Sequence, residues 1–329
     1  MGVPRPGDGP PPLVVLSGAT ATGKSDLAIS LAEHLDGEIV NADAMQLYRG
    51  MDIGTAKVPP AEQREIPHHQ IDVLDVTQEA SVAHYQRSTR ELVPQIRARG
   101  RTPILVGGSG LYVRAAIDTI DFPPTDPDLR DRLTTQLRLE GAEVLREELR
   151  RTDPSSADSI RDDRRLVRAL EVVRLTGRPF TSFMPQREYC PVMEPVIQLG
   201  LTMDRAVLHE RIRHRVQHMT QAGLLDEVRE LDQRGLREGI TAPKAIGYQQ
   251  FLAVLDGTST VTEAEEATAT ATRKLARKQE TWFRADPRIH WILGPAPENS
   301  TNGTSLLQRA LSAIRHGEDP GADQRSGQV

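Results

Sequence analysis

The sequence predicts an α/β protein: a parallel-sheet core with helices on both faces, interrupted by a mostly helical insertion. Three observations predict it. The apolar run 13–17 (LVVLS) opens into a glycine-rich loop and then a stretch of helical periodicity, the pattern of a buried parallel strand feeding a helix. Two further apolar runs, 37–43 and 102–108, alternate with helical stretches, and such alternation produces a parallel sheet. After residue 120 the proline- and aspartate-rich DFPPTDPDLR breaks the pattern, and no strand candidate appears before residue 196.

In chain order, a helix is predicted over 24–35, carrying Leu27, Ile29, Leu31 and Leu35. A second spans 81–99, with Val82, Tyr85, Leu92 and Ile96 as its core-facing stripe. Residues 127–180 read as helical; Leu166, Leu170 and Val173 share one face there, and Arg164, Arg165 and Arg168 lie off it. The run 196–203 (VIQLGLTM) is a return strand, followed by helices over 205–235, 244–256 and 262–285 and a last strand at RIHWIL. The domains are accordingly 13–120 with 196–293 for the core and 121–195 for the insertion. Residues 1–12 are a disordered proline-rich tail, and 294–329, polar and glycine-rich, a loose one.

The 329 residues suffice for one large or two ordinary domains; 38% are hydrophobic and 26% charged. No apolar run approaches the roughly 20 residues of a membrane span, and the N-terminus lacks a signal-peptide core, so a cytoplasmic protein is expected. A single cysteine, Cys190, excludes a disulfide framework and a cysteine-based zinc site. The net charge of −5 leaves nucleic acid possible, because local patches govern that interaction. The 36 arginines against 5 lysines are what an arginine-favouring genome would produce. His68-His69 reads as a loop or strand edge, and the glutamates from 263 to 266 as a helix start, where acidic residues suit the dipole.

The strongest signal is Gly18-Ala19-Thr20-Ala21-Thr22-Gly23-Lys24-Ser25. It matches GxxxxGK[ST] and lies between a predicted strand and a predicted helix, the context such a P-loop requires. Its backbone N–H groups can form a phosphate nest, the helix N-terminus adds partial positive charge, Lys24 a full charge, and Ser25 a ligand for Mg²⁺. The motif is shared with ATP- and other nucleotide-binding proteins. In such NTPases an acidic residue ends a neighbouring strand, yet 103–108 ends in Gly107-Gly108-Ser109-Gly110 with no carboxylate. Asp43 ends the other strand and can either hold Mg²⁺ or face an acceptor. Nucleotide kinase, NTPase and pyrophosphate-leaving transferase all stay open at this point.

The block from Asn41 through Asp43, Gln46, Tyr48 and Gly54 to Lys57 resembles the signature of the tRNA dimethylallyltransferases, also called tRNA isopentenyltransferases. Gly107-Gly108-Ser109-Gly110-Leu111-Tyr112 is similar to their second block. Further matches are Arg168 to Val172, Arg211-Ile212 with Arg215 and Met219, Gly247-Tyr248, and Arg277 to Arg284. They run in family order over 13–285. One departure is Ala44, where many members carry serine, so a hydroxyl contact is missing or supplied elsewhere. With one cysteine the chain lacks the zinc finger that eukaryotic relatives often append, which indicates the bacterial form.

The resemblance implies a prenyltransferase. Its donor is dimethylallyl pyrophosphate, its acceptor the exocyclic amine of the adenosine 3′-adjacent to the anticodon, and its cofactor Mg²⁺ at Ser25. It makes the insertion a tRNA-binding domain and the anticodon stem-loop the partner of a monomer. Lys24, Ser25 and Arg215 then hold the diphosphate, and Asp43 aligns the amine and takes its proton. The positions matching the family's RNA contacts are Asp43, Ala44, Met45, Gln46, Ser109, Arg130, Arg164, Arg165, Leu166, Val167 and Arg168. To these the resemblance adds Lys244, Gly247, Tyr248, Gln249, Arg277, Lys278, Gln279, Trp282 and Arg284. The rival functions are a small-molecule P-loop kinase, an RNA-binding NTPase, and a prenyltransferase acting on free adenine nucleotide.

Overall fold

The computed structural model describes residues 9–184, 186–294 and 305–316. The chain divides into two compact units, 118–188 and the remainder. In the larger unit the order is β1 (Leu13–Gly18), α1 (Lys24–Leu35), β2 (Gly37–Asn41), β3 (His68–His69), α2 (Val82–Ala98), β4 (Thr102–Gly107) and α3 (Gly110–Ile117). The smaller unit holds α4 (Pro127–Glu140), α5 (Ala142–Arg150), α6 (Pro154–Ser159) and α7 (Asp163–Thr176). The larger then resumes with β5 (Val196–Thr202), α8 (Arg205–Gln221), α9 (Leu224–Gln233), α10 (Tyr248–Leu255), α11 (Val261–Arg284), β6 (Ile289–Leu293) and α12 (Leu306–His316).

The six strands are parallel, in the order β3-β2-β4-β1-β5-β6. Because side chains alternate across a strand, the apolar run of β1 serves both faces of the sheet. Val14 and Leu16 join Leu27 and Leu31 of α1 on one face. Leu13 and Val15 join Tyr85 and Ile96 of α2, Val113 of α3 and Phe283 of α11 on the other. That double burial explains why these strands read as continuous apolar runs. β2 follows β1 in the chain but pairs with β4, so the crossovers diverge on either side of β1, and the carboxyl ends of β1, β2 and β4 meet at one edge. In open α/β sheets ligands bind at that place.

Two expectations are corrected here. Residues 305–316 of the supposed loose tail include a helix, α12, whose Ala310, Ala313 and Ile314 are buried against α1 and the sheet. Their spacing is an amphipathic stripe, hidden in the sequence by polar flanks. The expectations for 1–8, 295–304 and 317–329 lie outside the described residues. The chain also rejoins the core unit at 189 rather than 196. Cys190 N–H donates to the Ile117 carbonyl at 2.8 Å and Met193 is fully buried in the core of the larger unit, contacts that leave no periodic trace in the sequence.

In the smaller unit Leu133, Leu145, Leu149, Leu166 and Leu170 build a separate core. Asp126, Asp153 and Asp162 cap α4, α6 and α7 by accepting from first-turn N–H groups. Glu171, 0% exposed, accepts from Arg130, Arg168 and the Asp126 N–H. Burial pushes its carboxyl up, but those donors outweigh it and hold the group below the usual range.

Candidate active site

The loop after β1 is shaped by local backbone demands. Gly18 (φ 143°) passes so close to β5 that a Cβ would lie 2.6 Å from the Leu201 carbonyl oxygen. Ala21 and Gly23 also take positive φ, 65° and 91°. Thr22 Oγ1 and Lys24 Nζ both donate to the Ala19 carbonyl, at 2.8 and 2.6 Å. α1 has Gly23 at its N-cap and no side chain capping its first turn, so its leading amides remain available to an anion. Ser25 stands exposed on that turn.

Two other helices reach the loop. From α8, Arg211 Nε donates to the Ala21 carbonyl at 2.9 Å and Arg215 approaches Thr20 Oγ1 at 3.4 Å. From α11, Gln279 accepts from the Thr20 N–H and donates to the Gly108 carbonyl, each at 2.9 Å. Arg215 is held below its usual range by burial and by Arg211, with Asp26 opposing. Lys24 falls from 10.5 to about 7, through burial first and Arg215 second, against an opposing pull from Asp43. A loop of backbone amides ringed by mutually repelling cations is a site that a polyanion stabilises.

Asp43 stands just beyond β2. Its N–H donates to Asn41 Oδ1 at 2.8 Å, and its own Oδ1 accepts from Met45 N–H at 2.9 Å. Asn41 Nδ2 donates to the carbonyls of Asp43 and Gln70, both at 2.9 Å. Burial raises the Asp43 carboxyl, and the Met45 N–H, the Lys24 charge and the Gln46 N–H only partly offset it. A carboxyl tuned upward beside a cationic nest suits a proton acceptor. From the end of β4 to the start of α3, a Cβ on Gly107 would lie 2.3 Å from the Ala42 carbonyl oxygen, on Gly108 2.4 Å from Gln279, and on Gly110 2.1 Å from Trp282. The glycines therefore permit the loop after β4 to lie against the segment holding Asp43 and against α11.

The structure brings together Gly18 to Ser25, Arg215, Asp43, Gln279 and the glycine loop. Gln46 lines a cleft with Ser25, Asn41 and His68. Several positions assigned to RNA contact have side chains engaged within the protein. Leu166 and Val167 are core residues of the smaller unit, 0% and 4% exposed. Arg130 and Arg168 are tied to Glu171, and Arg168 also donates to the carbonyls of Pro123 and Pro124. Tyr248 is buried with its hydroxyl donating to Glu227 at 2.6 Å, and Gly247 is buried beside it. Gln279 has both ends of its amide engaged within the protein. Arg284 pairs with Glu280 and lies over Trp291. Arg164, Arg165, Lys244, Gln249, Arg277 and Lys278 are exposed, Ala44, Met45 and Ser109 half-buried, and Trp282 is 43% exposed with Arg114 over its ring. Sequence reasoning left Arg211 out of the site; its spacing of four from Arg215, one helix face, is the signal that finds it.

Fold and site define a P-loop α/β protein whose cationic loop lies beside the Asp43 carboxyl. Residues 46–286 match the family described as IPP transferase, and the chain belongs to that family. It is 60% identical over 301 residues to a tRNA dimethylallyltransferase of Pseudarthrobacter chlorophenolicus, covering 92% of this chain and 100% of that one. It is 51% identical over 306 residues to one of Streptomyces coelicolor, covering 92% and 96%. The full-length tRNA isopentenylpyrophosphate transferase of Bacillus halodurans is structurally similar, with TM-score 0.67 and 36% identity over 93% of this chain and 97% of that one. A eukaryotic dimethylallyltransferase acting on tRNA gives TM-score 0.81 and 27% identity over 96% and 82%.

Proposed function

We propose that the protein transfers a dimethylallyl group from dimethylallyl pyrophosphate to the exocyclic amine of the adenosine 3′-adjacent to the anticodon in tRNA, releasing pyrophosphate. The observation that carries this reading is the cationic nest facing Asp43, in a chain whose relatives are named for that activity. The allylic C–O bond breaks and its electron pair leaves on pyrophosphate, while the amine lone pair forms the C–N bond. Lys24, Arg215 and the loop amides face the growing negative charge; one such donor is worth roughly 3–4 kcal/mol. The amine is a poor nucleophile because its lone pair is delocalised, and the Asp43 carboxylate takes its proton as the bond forms. Extrusion of the base from the anticodon loop costs a few kcal/mol, and exposed cations such as Arg277 and Lys278 supply attraction for phosphates.

Mg²⁺ fits this donor set. Among the described residues no group of three His, Cys, Asp or Glu could cage a metal, and Ser25 offers one hydroxyl beside the diphosphate nest. That is the manner of Mg²⁺, held by one or two protein ligands, substrate phosphates and water. When bound it neutralises charge on the diphosphate. Among the described residues no helix is long and apolar enough to cross a membrane; tRNA as the acceptor supports a cytoplasmic working form, which we propose to be a monomer.

The test is incubation with labelled dimethylallyl pyrophosphate, Mg²⁺ and either tRNA or AMP, with an ATP control. Label in tRNA is expected, and Asp43→Ala should lose most turnover while keeping donor affinity. Label in AMP alone, or phosphate transfer from ATP to a metabolite, would overturn the reading.

A further inference from the structure

The segment between β2 and β3 leaves the sheet at Asp43 and makes a wide excursion, held from α9 by one carboxylate. Glu227 Oε2 accepts from the N–H groups of Asp52 and Ile53 at 3.0 and 2.7 Å. Its Oε1 accepts from Gly54 N–H at 3.1 Å and from the Tyr248 hydroxyl at 2.6 Å. Three consecutive amides on one anion form a nest, here closed by the protein's own side chain. Gly54 is required at the turn, because a Cβ would lie 2.5 Å from the Tyr248 ring. Lys57, its side chain 6% exposed, closes the base of the excursion by donating to the Tyr48 carbonyl at 2.6 Å and to Asp52 at 2.7 Å.

The next two carbonyls in the chain meet Gln46. Its Nε2 donates to Thr55 O at 3.1 Å and faces Ala56 O at 3.5 Å. Carbonyl oxygens can be met only by the NH₂ end of an amide. The Gln46 side chain is therefore set in one sense, with Oε1 left as an acceptor on a residue that lines the cleft beside Ser25. An acceptor in that place matches an exocyclic amine, which donates, and not an exocyclic oxygen.

We propose that Glu227 is a positioning residue: by pinning the 52–54 turn it fixes the carbonyls that orient Gln46 toward the acceptor base. This rests on the reading of the site as an adenosine prenyltransferase. The test is a double-mutant cycle of E227Q and Q46A in the full chain, following kcat/KM for tRNA, KM for the donor, and amide exchange at 52–56. E227Q should lose about tenfold or more in kcat/KM for tRNA, the scale of a lost charged hydrogen bond. Donor KM should stay unchanged and exchange at 52–56 should accelerate. In the Q46A background the same change should cost little more. Should E227Q fold poorly, Tyr248→Phe, which keeps the carboxylate, replaces it in the cycle and should show a smaller loss of the same kind.

Additive losses, a parallel rise in donor KM, or unaltered kcat/KM for tRNA would each overturn the proposal while the wild-type chain prenylates tRNA. A wild-type chain that leaves tRNA unmodified would overturn the parent reading, and this one with it.

Discussion

A lysine at a pKa of about 7 is half discharged in neutral solution, a strange state for a group meant to hold phosphate. The cause is the make-up of the site: burial and Arg215 both disfavour the ammonium, and only Asp43 favours it. A diphosphate reverses that balance, so binding must draw a proton onto Lys24. The sign follows. Below pH 7 the ammonium is already present and binding needs no proton; above it each bound donor requires one. Affinity for pyrophosphate should therefore fall as pH rises from 7 toward 9, by up to about tenfold per unit. Calorimetry in buffers of different ionisation heat should record proton uptake that Lys24→Met abolishes; a flat profile contradicts the argument. Lys24 and Ser25 were legible in the sequence because their motif is contiguous. The contacts that Arg211 and Gln279 make with the same loop were not, since they reach it from 190 and 259 residues away.

At the scale of elements, the loop after β4 explains why its composition is glycine. Gly107 and Gly110 both exclude a side chain, but what each would strike differs. At Gly107 the obstacle is the Ala42 backbone, one residue before Asp43; at Gly110 it is the Trp282 ring, which is 43% exposed and has room to turn. Backbone between two paired strands cannot yield, whereas a partly exposed ring can. Gly107→Ala should cost about 3 kcal/mol and Gly110→Ala about 1 kcal/mol, opposite ends of the usual range for overpacking. Thermal or urea unfolding measures both, and only the first should slow transfer at saturating substrates. Equal costs would mean that the strand ends adjust more freely than their packing implies. The pattern of glycines was visible in the sequence, but its reason was not, because the partners lie just after β2 and on α11. α12 stayed hidden for a related reason: the surfaces its apolar stripe packs on, α1 and the sheet, lie far from it in the chain.

At the scale of the whole molecule, a chain of net charge −5 must attract a polyanion through a few cations left unneutralised. The basic residues were legible in the sequence as clusters; which of them are already paired was not, since Arg130 and Arg168 meet a glutamate that reads as an ordinary helix residue. Arg168 shares the buried Glu171 with Arg130 and also donates to the Pro123 and Pro124 carbonyls, so its guanidinium is committed to holding the smaller unit together. Arg277 and Lys278 are exposed on α11 and enter no ion pair among the described residues. Each phosphate neutralised by a free cation contributes about 0.7 to 0.9 to the slope of log affinity against log salt. Arg277→Ala should weaken tRNA binding and reduce that slope by about this amount. Arg168→Ala should leave the slope nearly unaltered but lower the unfolding temperature, because it strips a partner from a fully buried carboxylate. Titrations of tRNA at several salt concentrations, beside thermal melts of the same variants, separate the two kinds of arginine. A slope that drops for Arg168→Ala and holds for Arg277→Ala would reverse their roles.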